Sequence, residues 1–154
     1  MNDTLNLLLQ HAEAERDEAL ALLQQINSRA EAARAQHDQL MSYRDDYRQR
    51  WSGRFSQGGA IEIVQCYHSF SERLEQAICQ QSQMVSQLVA QAERLREQLK
   101  ERELRAASVG KLIERRRQEL DRSNQRREQK TADEAAQRAA WNGRLLSRAA
   151  DPFS

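Results

Sequence analysis

Trp51-Ser52-Gly53-Arg54-Phe55-Ser56-Gln57-Gly58-Gly59-Ala60 is the one stretch of this chain where turn-forming residues gather. Three of the five glycines fall in it, and the single proline, Pro152, stands far away near the other end of the numbering. Glycine and serine supply the backbone freedom that a chain reversal needs. The segments on either side lack such residues almost entirely and read as helix. The expectation is therefore all-α: a long antiparallel two-helix coiled coil, an α-hairpin, reversing at this point. A molecule of that kind is expected to offer no pocket, so its function should lie in what its surfaces touch.

Working outward from the turn, the first arm spans 3–52, with Asp3 as its N-cap. Its apolar and small residues alternate steps of four and three: Leu5, Leu9, Ala12, Arg16, Ala19, Leu23, Ile26, Ala30, Ala33, His37, Leu40, Arg44, Tyr47 and Trp51. That is the repeat of a left-handed supercoil. Many of these positions are alanine, which allows close approach but buries little area. The tip covers 53–60, and the second arm begins at 61. Its seam runs Tyr67, Phe70, Leu74, Ile78, Gln81, Val85, Leu88, Ala92, Leu95, Leu99, Arg102, Ala106, Val109, Ile113, Arg116 and Leu120. The consecutive steps of four from Phe70 to Ile78 form a stutter that relaxes the supercoil locally. Asn142-Gly143 reads as the stop signal, leaving 143–154 as a loose tail.

With Ser52 placed opposite Ile61, the first arm is used up opposite Gly110. The second arm is then paired over 61–110 and overhangs over 111–142. That overhang is basic: Lys111, Arg115, Arg116, Arg117, Arg122, Arg126, Arg127 and Lys130 face only four acids between 111 and 130, a net of +4. Residues 1–50 carry a net of −3, which hides within an overall charge of +1. A solvated helix face laced with i,i+4 pairs is the ordinary reading of such a segment. A docking end for an acidic surface is the sharper one. Nucleic acid is disfavoured, because Glu114, Glu119, Asp121 and Glu128 interrupt the arginines.

The composition agrees with helices and argues against a compact enzyme. Charged residues make up 31% of the 154 and aromatics 5%, too few large side chains to fill a globular core. No run is apolar enough to span a membrane, and Leu5 to Leu9 lacks the length and basic flank of a signal peptide. Cys66 and Cys79 lie about 20 Å apart along one helix, beyond disulfide reach. His11, His37 and His68 have no metal-ligand spacing. Gly53 and Gly58 match two glycines of a phosphate-binding loop, but Gly59-Ala60 stands where Lys-Ser/Thr is required. No catalytic residue, cofactor or metal is expected.

One constellation remains. Tyr43 and Tyr47 form an i,i+4 pair, with Gln36 and Leu40 one or two turns before them. Phe70, Leu74, Ala77 and Gln81 form a stripe on the second arm. The facing rule sets Tyr43 against Phe70, Leu40 against Arg73 and Gln36 against Ala77. Much of this is ordinary seam, Tyr47 and Leu74 above all. A two-helix seam cannot hide all of it, and an aromatic-aliphatic patch left exposed is a protein contact.

Three stretches carry a resemblance to a known family: Tyr43-Arg44-Asp45-Asp46-Tyr47-Arg48 before the turn; Tyr67-His68-Ser69-Phe70 through Leu74-Glu75-Gln76-Ala77-Ile78 to Gln80 after it; and Lys111-Leu112, Glu114-Arg115, Asn124, Gln129-Lys130, Asp133-Glu134 and Ala136-Gln137-Arg138. At these separations the chain resembles the FliJ family of flagellar type III export proteins. The resemblance implies a cytoplasmic, non-enzymatic coiled coil at the flagellar base, peripheral to the inner membrane and without direct membrane insertion. It also implies contact with the hexameric export ATPase FliI, its regulator FliH, the export-gate protein FlhA and export chaperones, with no nucleic acid. The family's gate-contacting stripe falls on Gln36, Leu40, Tyr43, Tyr47, Phe70, Leu74, Ala77 and Gln81. The ATPase-ring contact falls on Arg115, Arg116, Arg117, Arg122, Arg126, Arg127, Lys130, Asp133 and Glu134. The same architecture would also serve the stalk protein of a virulence type III secretion system, or a purely structural coiled-coil scaffold.

Overall fold

A computed structural model describes residues 2–55 and 58–150, with side chains from residue 3 onward. Ser56, Gln57 and the part of the expected tail beyond Ala150, Pro152 included, lie outside the described residues. The architecture is all-α, as expected: α1 covers Asn2–Phe55 and α2 covers Ile61–Ala150, packed against each other as a helical hairpin. The chain divides into two units, Gln10–Ala106 and a second formed by Met1–Leu9 with Ala107–Ser154.

Within Gln10–Ala106 the seam is built mainly of small residues. Ala12, Ala19, Ala30 and Ala33 are buried on α1 beside Leu23 and Ile26, and Leu74, Ile78, Ala92 and Ala106 on α2. Leu23, Ile26 and Ala92 form its apolar centre, with Leu95 and Leu99 packed against them. Each buried CH₂ contributes roughly 0.8 kcal/mol. An alanine position therefore adds little beyond letting the two backbones approach. Polar side chains at seam positions bridge the helices. The Gln81 carboxamide donates to the Ala33 carbonyl at 3.0 Å and to Gln36 Oε1 at 3.2 Å. The Arg102 guanidinium donates to the Glu15 carbonyl at 2.9 Å.

Three main expectations are corrected, and two smaller ones with them. First, α1 does not stop at Ser52 but runs through Gly53 to Phe55. A helical glycine costs about 1 kcal/mol, and here ring packing outweighs it. Phe55 lies 5.5 Å from Trp51 and 5.1 Å from Tyr67 between centroids. The reversal itself falls at Gly58, whose φ of 81° suits glycine, and whose N–H donates to the Phe55 carbonyl.

Second, the later turn moves the register by about one helical turn. Gln36 meets Gln81 rather than Ala77. Phe70 lies closer to Tyr47 (4.7 Å) than to Tyr43 (6.3 Å). In the second unit the N-terminal segment reaches past Gly110: Leu5 and Asn6 line an open groove of about 800 Å³ with Ile113, Arg116, Arg117 and Leu120. The surface is therefore grooved, contrary to the expectation of no pocket.

Third, Asn142-Gly143 does not end α2, which continues to Ala150. A glycine stop needs the left-handed conformation, and among the described residues only Gly58 has positive φ. Ala139, Ala140, Leu145, Leu146, Ala149 and Ala150 are strong helix formers that carry the segment through. At the other end, Asp3 lies within the first turn of α1 rather than ahead of it. Its carboxylate there meets the positive end of the helix dipole.

Candidate interaction surfaces

The first surface lies near the turn, within Gln10–Ala106. Tyr43, Tyr47, Trp51 and Phe55 recur at steps of four, so a helix sets them in one stripe. Tyr67 and Phe70 from α2 lie against that stripe. Tyr47 stacks on Tyr67 at 5.4 Å and on Tyr43 at 6.2 Å, and Trp51 meets Tyr67 at 5.6 Å. The Arg54 guanidinium sits 5.4 Å from the Trp51 ring centroid. Glu75 holds the flank, accepting from Arg48 at 2.8 Å and from Arg44 at 3.4 Å. Loss of solvent among these rings raises the Tyr47 phenol above its ordinary range. A hydrogen bond with Trp51 opposes that rise, while Tyr43, Tyr67 and Cys66 add to it.

The eight residues of the expected patch divide by exposure. Tyr43 is 52% exposed and Phe70 38%, and they brace each other edge to face. Gln36 is exposed as well, and accepts from Gln81. Leu40, Tyr47, Ala77 and Gln81 are half-buried, and the Gln81 amide is engaged across the helix pair. Leu74, at 8%, is packed in the seam and supports the patch from beneath. Phe55 belongs to this surface although the sequence reading left it in the tip. The repeated step of four from Tyr43 was the signal that assigns it to the helix.

The second surface lies in the other unit. Arg115, Arg116, Arg117, Arg122, Arg126, Arg127, Lys130, Asp133 and Glu134 are all exposed, as is every residue from Glu114 to Ala150. Arg116 and Arg117 border the groove holding Leu5. Among the described residues, every ion pair involves positions up to Arg105. The i,i+4 pairs of the ordinary reading are thus not formed along the basic segment. Thr131 donates to the Arg127 carbonyl, which ties its hydroxyl to its own helix.

No group of three or more His, Cys, Asp or Glu side chains converges on a metal position among the described residues. No helix among them is long and apolar enough to cross a membrane. Two long helices, an aromatic face half in the seam and a basic helix without internal ion pairs define a helical-hairpin protein. A family model described as "Flagellar FliJ protein" matches residues 1–145. The chain belongs to the FliJ family and is a coiled-coil protein of flagellar export. No curated protein and no solved structure shows a significant match to it.

Proposed function

We propose that this chain is the non-enzymatic stalk of the flagellar export apparatus. It acts at the cytoplasmic face of the inner membrane, where it joins the export ATPase to the export gate. The basic part of α2, from Arg115 through Glu134, engages the FliI hexamer. The patch of Gln36, Tyr43 and Phe70, framed by Leu40, Tyr47, Ala77 and Gln81 over Leu74, engages FlhA. FliH and the export chaperones are its further partners. The observation that carries this reading is that the charges from Arg122 to Lys130 are exposed and free of ion pairs. Charges with no internal partner are available to an acidic lining, and their field speeds encounter with it.

Binding along a ring pore would favour the assembled hexamer by mass action, since only that state receives the helix. Stimulated hydrolysis then follows from the ring's own chemistry, with no catalytic group supplied by this chain. The test is to mix the purified protein with FliI of the same organism and follow hydrolysis and ring formation together. The full chain is expected to stimulate both. A variant with Arg122, Arg126, Arg127 and Lys130 changed to Glu is expected to lose stimulation while keeping its circular dichroism and its binding to FlhA. Stimulation retained by that variant would refute the assigned polarity. Tyr43→Ala with Phe70→Ala should give the reverse pattern, with gate binding lost and stimulation kept.

A further inference from the structure

Steps of seven keep a residue on one side of a helix, with a drift of about 20° each time. On α1 such steps join Arg29, Gln36, Tyr43 and Arg50, and on α2 they join Phe70, Ala77 and Met84. The two rows meet at the surface, since Tyr43 packs edge to face on Phe70 and Gln36 accepts from Gln81. They form a lane along one flank of the hairpin, in which Tyr43, Phe70 and Met84 are 52%, 38% and 51% exposed. From Phe70 to Met84 the lane runs about 20 Å. With Gln36 against Gln81, Arg29 comes level with Leu88, one turn beyond Met84, and Arg50 comes level with Tyr67, just beyond Phe70. Arg73 stands at the edge, one turn from both Phe70 and Ala77. All three arginines are exposed, and none takes part in an ion pair. Within one turn of either row, Asp46 is the only acid. The other flank is opposite in charge: Glu31, Asp38 and Asp45 recur there at steps of seven, about 200° round α1 from Arg29, Gln36 and Tyr43.

We infer that this lane seats an acidic amphipathic helix of the partner, one with an apolar stripe bordered by Asp and Glu. The inference rests on reading Tyr43 and Phe70 as the gate contact. It names the chemistry of the gate segment and adds Met84, Arg29, Arg50 and Arg73 to its site. A helix laid in a groove anchors through side chains at i, i+3 or i+4, and i+7. Rows that repeat every two turns meet that spacing. Met84 is unbranched and polarizable, so it moulds to the apolar side chains it covers. The arginines make the selection by charge. Their guanidinium forks hold carboxylates through paired hydrogen bonds, and unpaired at both ends and one edge of the lane they repel a basic helix. A second copy of this chain matches poorly, because its acidic row of Glu31, Asp38 and Asp45 has no apolar residue at those steps.

The test is binding of the full chain to FlhA of the same organism, purified in detergent, at low and high salt. Affinity is expected to fall as salt rises. Arg29→Glu with Arg73→Glu should weaken binding by about tenfold and flatten its salt dependence. Arg34→Glu with Arg96→Glu makes the same change of charge on the other flank and should leave binding unchanged. Equal loss from both pairs would overturn the inference, since the attraction would then belong to the overall field. Met84→Ser keeps every charge and should weaken binding by about fivefold, with circular dichroism unaltered. A photo-reactive residue at position 84 should crosslink to a FlhA segment whose acids border an apolar helical stripe. No crosslink, or one to a segment without acids, would overturn the lane. If these variants bind like the wild type while Tyr43→Ala with Phe70→Ala loses binding, the gate reading stands and the lane falls. If the wild type itself does not bind FlhA, both fall. Sedimentation velocity showing a dimer that Met84→Ser abolishes would assign the lane to a second copy and refute the partner helix.

Discussion

The residues around the turn and the residues beyond Leu120 are both helical, yet they owe their helicity to different physics. From Tyr43 to Phe70 six aromatic rings interlock, and packing carries α1 through a glycine. From Asp121 to Ala150 every residue is exposed, so that stretch of helix rests on propensity and local hydrogen bonds alone. Packed helix is stable and leaves only part of its surface, here Tyr43 and Phe70, open to partners. Unpacked helix is marginal and keeps its surface for partners.

Hydrogen exchange should separate the two most widely. Amides of 121–150 are expected to exchange on the order of 100-fold faster than those around Leu23 and Ile26, because their opening need not break the hairpin. Equal protection would mean the segment is covered in solution.

Substitution should show the same asymmetry in stability. Ile26→Ala is expected to cost about 2–4 kcal/mol in urea denaturation. Leu120→Ala, at a side chain 54% exposed, should cost less than about 0.5 kcal/mol. Two glycines sharpen the contrast at the turn. Gly58→Ala should destabilise by about 1 kcal/mol, because its φ of 81° is unfavourable for a residue with a Cβ. Gly53→Ala should stabilise by about 0.5–1 kcal/mol, since it is helical and an added Cβ meets nothing within 4 Å.

The smallest expected effect is a pH dependence confined to the aromatic end. The Tyr47 pKa is raised by folding, so the folded state holds that proton more tightly than the unfolded chain does. Its contribution is present in full below the ordinary tyrosine value and is lost as pH rises through the folded value. Melting followed above pH 10 should therefore fall more for the wild type than for Tyr47→Phe. An identical decline in both would exclude Tyr47 as the source.

Helical periodicity was legible because it is local. All the first-arm positions read as seam, from Leu5 to Trp51, are buried or half-buried, and so are those of the second arm from Leu74 to Ile113. The aromatic patch was legible for the same reason, since Tyr43 and Tyr47 must share a face. Its division was not: whether Leu74 presents itself or packs beneath depends on the partner helix.

The sequence by itself determined that this chain is two helices, where it reverses and which face of each turns inward, because side-chain spacing along a helix decides those. Only the tertiary structure decided how far α1 runs, and hence which residue faces which. Phe55 closes on Tyr67 from across the turn, and that contact outweighs the local cost of Gly53. A difference of three residues at the turn then shifts the pairing of Gln36 and of Tyr47 by about one helical turn, since an antiparallel register inherits its offset from the reversal.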